Sequence, residues 1–492
     1  MSNNTKQIVE KAWGFAHVLR EEGLSYLAYI EQITFLLFLK MADEIAIRHP
    51  EREPLVPRGW GWDSLMGKNG TELKVHYDAV LERLSQQPGM LGDIFRKPRP
   101  EIENPRTLRR LVADLIDPEE WTTMDADVSG DIYEGLLART ASESPRGAGQ
   151  YFTPRPLIAA IVDCIRPTAT DTVCDPAAGT GGFLLAAHKF ATEQSGPQLT
   201  DAQSKHLAQD FVHGWEIVPN TARLCIANLF LHGVNAAASP IQAGVDALAM
   251  ASDRQFSIVL ANPPFGKKGS LASAEGDEGG TQGSTLRRRT DFWVATANKQ
   301  LNFLQHAFTL LKPEGRCAIV LPDNVLFEGG AGEVIRRTLL KECYVHTLLR
   351  LPPGIFYAQG VKANVLFFDR KSTSKRSGLW VYDLRTNKNF TLRNRIIQRS
   401  DFEEFVTCYN AQSIEKRKET WSENNLQGRW RKFDYDTLLT REKTNLDFNW
   451  LKSDEAQAAG AELVSPQDLA AQITMDLRIA MEQFQKVSER LK

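Results

Sequence analysis

Apolar positions change their spacing twice along the chain, and the two changes divide it into three regions. Up to about residue 145 they recur every three or four residues, as in "QITFLLFLKMADEI" (32–45) and "HYDAVLERLSQ" (76–86), which predicts amphipathic helices. Pro- and Gly-containing stretches at 50–72 and 95–105 separate these patterns, so residues 1–145 are expected to form a helical domain. From 146 to about 420 the texture is different, with short apolar runs alternating with amphipathic segments: "TVCDPAAG", "FVHGWEI", "IQAGVD", "FSIVLANPP", "RCAIVLP", "YVHTLLRLP" and "VKANVLFFD". Strands that alternate with helices predict an α/β domain built on a mostly parallel, doubly wound sheet. Residues 421–492 are polar and charged until one last helical pattern.

That last pattern is "SPQDLAAQITMDLRIAMEQFQKVSERLK" (465–492). Ser465 suits an N-cap, Pro466 the first helical position, and Asp468 completes a start signal of the capping-box kind. Leu469, Ile473, Leu477, Ala480, Phe484, Val487 and Leu491 then form one apolar stripe. A solitary helix of this length is only marginally stable in water, so the stripe calls for a surface on its own chain or on a partner.

Composition removes several classes. A chain of 492 residues has room for two or three domains, and 42% hydrophobic with 24% charged residues is ordinary for a globular protein. The formal net charge of -2 argues against a basic coat, so contact with nucleic acid is expected to be local or shared. Six cysteines (164, 174, 225, 317, 343, 408) form no CxxC pair, which points to neither a zinc site nor a disulfide framework and suits a reducing cytoplasm. The first residues lack the basic and apolar regions of a secretory signal, and no run of about 18 apolar residues predicts a membrane span.

In a doubly wound sheet ligands bind beyond the carboxyl ends of the strands, so the residues just past each strand carry the chemistry. The first strand, Thr172 to Asp175, runs into "DPAAGTGGF", where Gly179, Gly181 and Gly182 around Thr180 allow a tight turn ahead of a helix N-terminus. A dinucleotide G-x-G-x-x-G would need a glycine where Leu184 stands, and Asp175 would sit badly against a pyrophosphate; a carboxylate there suits a cationic group such as an amino-acid ammonium. The second strand leaves Glu216 at its tip, the usual partner of ribose hydroxyls. The third leaves Asp246, and the fourth, Phe256 to Ala261, leaves Asn262. Each of these alone has an ordinary surface or turn reading. Together, on successive strands, they describe one polar pocket.

The fourth strand ends in Asn262-Pro263-Pro264-Phe265. With "DPAAGTGGF", this tetrapeptide resembles S-adenosylmethionine-dependent amino methyltransferases, and more narrowly N6-adenine DNA methyltransferases of the gamma order. "GAGQYFTPRPLIAAIV" (147–162) is similar to the segment that precedes the glycine loop in that order. "GDIYEGLL", "LPDNVLFEGGAG", "LLRLPPGIFYAQGVKANVLFFDR" and "REKTNLDFNWL" resemble the modification subunit of type I restriction-modification systems over most of residues 1–460. The resemblance implies a Rossmann-like methyltransferase sheet and a cofactor role for Gln150, Tyr151, Phe152, Thr153, Pro154 and Arg155. It also implies one for Asp175, Gly179, Thr180, Gly181, Glu216 and Asp246. "FTP" equally fits a helix start, with Thr153 as N-cap and Pro154 at the first position.

The chemistry of such a site explains the tetrapeptide. An adenine amino group is a poor nucleophile because its lone pair is delocalised into the ring, and acceptors for both of its hydrogens pyramidalise it. Asn262 offers a side-chain oxygen and Pro263 a backbone carbonyl, while the two prolines stiffen the segment. Phe265 supplies a face for a base flipped out of its duplex.

The resemblance implies double-stranded DNA, a specificity subunit, a second copy of this chain and a restriction and translocase subunit as partners. Absence of a G-x-x-x-x-G-K-[ST] loop is consistent with ATP-driven steps lying in another polypeptide. RNA or protein-glutamine amino methyl transfer, or a non-catalytic scaffold of the same fold, are the alternatives; a C5-cytosine enzyme is not expected, since no cysteine follows a proline. After the tetrapeptide, residues 267–293 lack periodicity and are bracketed by Lys267, Lys268, Arg287, Arg288 and Arg289. That pattern reads as a solvated loop or as a flap that orders on DNA phosphates.

Overall fold

The computed structural model describes residues 10–16, 23–24, 26–51, 53–122, 153–265, 289–356, 362–371, 378–391 and 395–451. Gln150, Tyr151, Phe152, Lys267, Lys268, Arg287, Arg288 and the C-terminal pattern at 465–492 lie outside them.

The long apolar pattern near the N-terminus forms a helix over Tyr26–Arg48, which buries Phe35, Leu36, Phe38 and Leu39. A second helix, Gly70–Ser85, turns Leu73, Tyr77, Val80, Leu81 and Leu84 inward at the spacing of one face. The break at 50–72 carries a short helix of its own, Trp62–Met66, whose Trp62 Nε1 donates to Asp117 Oδ1 at 2.8 Å.

Among the described residues the α/β part contains a nine-stranded sheet, and its strands are β1 (Val173–Asp175), β2 (Val212–Glu216), β3 (Ile241–Ala243), β4 (Phe256–Ala261), β5 (Leu311–Pro322), β6 (Tyr344–Arg350), β7 (Ala363–Asp369), β8 (Leu379–Asp383) and β9 (Trp430–Phe433). Their order is β3-β2-β1-β4-β5-β7-β6-β8-β9. β7 runs antiparallel to both of its neighbours and β9 antiparallel to β8, and the other paired strands are parallel. Central strands covered on both faces must be apolar throughout, and Ile258, Val259, Leu260 and Ala261 of β4 are fully buried. The sheet continues past residue 420, because Trp430 buries its ring against Trp380 at a centroid distance of 5.3 Å inside an otherwise polar stretch.

β1 is followed in space by β2 on one side and by β4 on the other, which makes the β1/β4 boundary the point where the winding reverses. Ligand crevices form at such a point. The helical layer packs on the helix Pro219–Leu231 that follows β2: Phe38 stacks on Phe230 at 5.9 Å, and Arg223 pairs with the buried Glu31 while lying over the Phe35 ring. Helices and sheet therefore belong to one compact unit, which ends at Phe448.

Candidate active site

Asp175 is the last residue of β1 and 2% exposed; its Oδ1 accepts from the Ala177 N–H at 2.9 Å. Burial, reinforced by the charge of Glu216, raises its carboxyl to about 8 against the opposing pull of the Ala177 N–H. The chain then turns through Gly179 (φ 55°) and Gly181 (φ 88°), left-handed conformations that glycine adopts without strain. A side chain at Gly181 would also meet Cys225 Sγ at 2.8 Å. Gly181 caps the helix Gly182–Ser195, and Asn228 Nδ2 donates to the Thr180 carbonyl at 3.2 Å, fixing the loop from the neighbouring helix.

Glu216 closes this loop. One carboxylate oxygen accepts from the Gly179 N–H at 2.9 Å and the other from the Val218 N–H at 2.8 Å. Burial raises its pKa, and these N–H bonds oppose the shift. Directly after it, Ile217 and Val218 expose large apolar side chains at the tip of β2. β3 ends at Ala243, so Asp246 lies in the following turn and not at the strand tip, where its Oδ1 accepts from the Leu248 N–H at 2.9 Å.

Asn262 follows β4 directly, and its Nδ2 donates to Thr153 Oγ1 at 2.9 Å. Among the described residues its Oδ1 is buried and meets no donor. Thr153 does not cap the next helix. That helix begins at Arg155, with Pro154 as the capping residue, and the Thr153 hydroxyl accepts from the Asn262 amide. Thr153, Arg155, Asp175, Thr180, Gly182 and Asn262 line one crevice between the glycine loop and the tip of β4. Past the prolines, Gln300 Nε2 donates to the Pro264 carbonyl at 3.4 Å, and Phe265 meets Phe356 edge-on at 5.8 Å. Neither Gln300 nor Phe356 stands out in the sequence, since each acts through a contact to a distant segment.

Arg289 is a correction to the basic-cluster reading. Its guanidinium forks onto Asp291 at 2.9 and 2.5 Å, donates to His306 Nδ1 at 3.1 Å, and lies over the Phe292 ring. Only 6% of its side chain is exposed, which sets it apart from a solvated basic cluster; an acid two residues on and an aromatic three residues on supply what a solvated arginine would take from water.

The sheet order, the glycine loop and the acid at the tip of β2 define the class as an S-adenosylmethionine-dependent methyltransferase. The family model for the N-6 DNA Methylase matches residues 124–444, and that for the HsdM N-terminal domain matches residues 8–115. The chain is 35% identical to the type I restriction enzyme StySPI methylase subunit of Salmonella potsdam, covering 99% of this chain and 96% of that protein. It is also 35% identical, with the same coverage of each, to the EcoKI methylase subunit of Escherichia coli strain K12. The crystal structure of the EcoKI M protein superposes with a TM-score of 0.54 at 31% identity, over 99% of this chain and 96% of that one. A type I modification subunit from Vibrio vulnificus YJ016 shares the fold with a TM-score of 0.68 at 23% identity, over 90% and 97% of the two chains. The chain belongs to the methylase subunits of type I restriction enzymes. It is an adenine-specific DNA methyltransferase that uses S-adenosylmethionine, and DNA is its substrate. No helix among the described residues is long and apolar enough to cross a membrane.

Proposed function

We propose that Asn262 and Pro263 bind and activate the adenine amino group while the tips of β1 and β2 hold the cofactor. The observation that carries this reading is the buried Oδ1 of Asn262, without a donor among the described residues and beside Asp175 on the neighbouring strand. The residues fit S-adenosylmethionine. Asp175, whose carboxyl burial pushes up to about 8, gains the counter-charge it lacks when an ammonium group arrives. Each Glu216 oxygen accepts one backbone N–H and keeps a lone pair for a ribose hydroxyl, with Ile217 and Val218 beside it as apolar surface for a flat ring. Thr180, Gly179 and Gly181 form the loop beneath, and Pro154 and Arg155 open the helix that faces it. Gln150, Tyr151 and Phe152 belong to the same segment, and Asp246 suits the adenine end.

The cofactor supplies an electrophilic methyl group. The chain's part is to make the amino nitrogen a nucleophile: Asn262 Oδ1 and the Pro263 carbonyl accept its two hydrogens and favour the positive charge that develops on nitrogen. Neither acceptor takes up a proton at working pH, so both persist through the reaction, and preorganised dipoles of this kind contribute about 3–4 kcal/mol each. Phe265, propped edge-on by Phe356, offers its face to the flipped base.

A separate specificity subunit, a second copy of this chain and a restriction and translocase subunit complete the assembly. Support comes from the full-length similarity to the StySPI and EcoKI methylase subunits. A further match, at a TM-score of 0.66 and 25% identity over 99% of this chain and 98% of that one, is to a structure whose subject is complex assembly of the type I restriction-modification system. The segment 465–492, with its apolar stripe, is the proposed docking element for the specificity subunit. Sequencing that detects modified bases, applied to DNA from cells producing the chain with its specificity subunit, tests the reading. N6-methyladenine at one recurring sequence supports it; unmodified adenines overturn it.

A further inference from the structure

We infer that Thr153 is a positioning residue for methyl transfer, holding the Asn262 side chain beside the target amino group and partnering its N–H when the oxygen end faces that group. The inference rests on the reading of Asn262 as the acceptor. Thr153 is 8% exposed, and its Oγ1 takes the Asn262 Nδ2–H at 2.9 Å across 109 residues of chain. That bond spends the nitrogen end of the amide on the protein. The oxygen end remains, buried and without a donor among the described residues, in the crevice that both side chains line.

The two ends of an amide differ in kind. Adenine presents two N–H donors at its amino group, so only Oδ1 serves it; turned over, the amide would set its own N–H groups against them. A hydroxyl can donate as well as accept, so Thr153 tolerates either orientation. What separates the two is the arriving amino group, which is satisfied in one orientation and opposed in the other. Thr153 stabilises the productive one by accepting an N–H that would otherwise be buried without a partner. It also ties the segment ahead of the Arg155–Ile165 helix to the catalytic strand, so the cofactor side and the base side of the crevice are registered against each other.

Thr153→Val keeps the shape and removes the acceptor, whereas Thr153→Ser keeps the acceptor. In the assembled methyltransferase, single-turnover methyl transfer to cognate DNA should fall about 10- to 100-fold for Thr153→Val, the loss expected for one stranded buried N–H. Its cofactor dissociation constant, measured by calorimetry, should change far less than the rate, its melting temperature should fall by no more than the few degrees that one stranded N–H costs, and Thr153→Ser should recover most of the rate. A cofactor affinity that falls as far as the rate makes Thr153 a cofactor ligand and overturns the inference. So does a Ser variant no faster than the Val variant, or a Val variant at the wild-type rate. Asn262→Ala belongs in the same series: if it is inactive while Thr153→Val is normal, only the inference on Thr153 falls, and if it is itself active, the acceptor reading falls with it.

Discussion

Glu216 Oε2 accepts the Gly179 N–H at 2.9 Å, so the acid at the tip of β2 holds the glycine loop that follows β1. One side chain thus shapes the loop and, in the proposed reading, also serves the cofactor ribose. Glu216→Ala should raise the cofactor dissociation constant by about 10- to 100-fold through loss of both roles. Glu216→Gln, which can still accept the Gly179 N–H, should lose less. Calorimetric titration of the two variants checks the order.

The pH dependence of cofactor binding follows from Asp175. An acid held at about 8 carries a proton at neutral pH that the unfolded chain has already lost. Between the usual carboxylate range and about 8, the free protein therefore loses stability as pH rises through that window. An ammonium ligand selects the ionised carboxylate, so affinity should climb by up to about tenfold per pH unit towards pH 8. It should decline above that, as an α-amino group with a pKa of about 7.7–8.0 gives up its own charge. Titrations from pH 6 to 9 should give a bell, and Asp175→Asn should flatten its acid limb.

Arg289 separates stability from DNA binding. Its fork onto Asp291 is largely buried, and the guanidinium holds the Asp291 carboxyl below the ordinary carboxylate range. Arg289→Gln should cost about 1–3 kcal/mol of folding stability, the partial exposure of Asp291 keeping it under the full value for a buried pair. DNA affinity of the assembled enzyme at fixed salt should be unchanged. Denaturant titration and fluorescence anisotropy measure the two effects separately.

Arg336 makes a comparable prediction far from the crevice. Among the described residues its guanidinium pairs with no carboxylate and is surrounded by main-chain oxygens, at 2.8 Å from Val325, 2.7 Å from Glu328, 2.6 Å from Lys443 and 3.0 Å from Thr444. It therefore ties Lys443 and Thr444 to the short helix Asn324–Phe327 that follows β5 and to Glu328 at its end. Burial lowers its pKa to about 10, which leaves it charged at neutral pH. Arg336→Met should strand several carbonyls and lower stability by about 3 kcal/mol or more, read as a shift in the denaturation midpoint.

What was legible in the sequence was whatever a short stretch decides by itself. The apolar run of β4 must stop where Asn262 meets two prolines, and Pro219, three residues past Glu216, bounds β2 in the same way. The Gly179–Gly181 loop was legible because only glycine takes those backbone angles easily. Strand direction was not, since β7 and the parallel strands share the same apolar texture. Asp246 was placed too close to its strand, because "IQAGVD" does not reveal that β3 stops at Ala243. The basic run ending at Arg289 looked solvated because nothing local announces that Asp291, Phe292 and the distant His306 converge on it. The Thr153–Asn262 bond joins a residue just ahead of the helix Arg155–Ile165 to one just past β4, 109 residues on, and no local pattern encodes that.

The central claim is that Asn262 acts on the base and not on the cofactor. Asn262→Ala in the assembled enzyme, followed by single-turnover transfer of a labelled methyl group to cognate DNA and by calorimetric titration with S-adenosylmethionine, tests it most directly. The account predicts a rate reduced by at least about 10²- to 10³-fold with a cofactor dissociation constant within about threefold of wild type. A variant that transfers methyl at near the wild-type rate, or one that loses the cofactor in proportion to its activity, would contradict it.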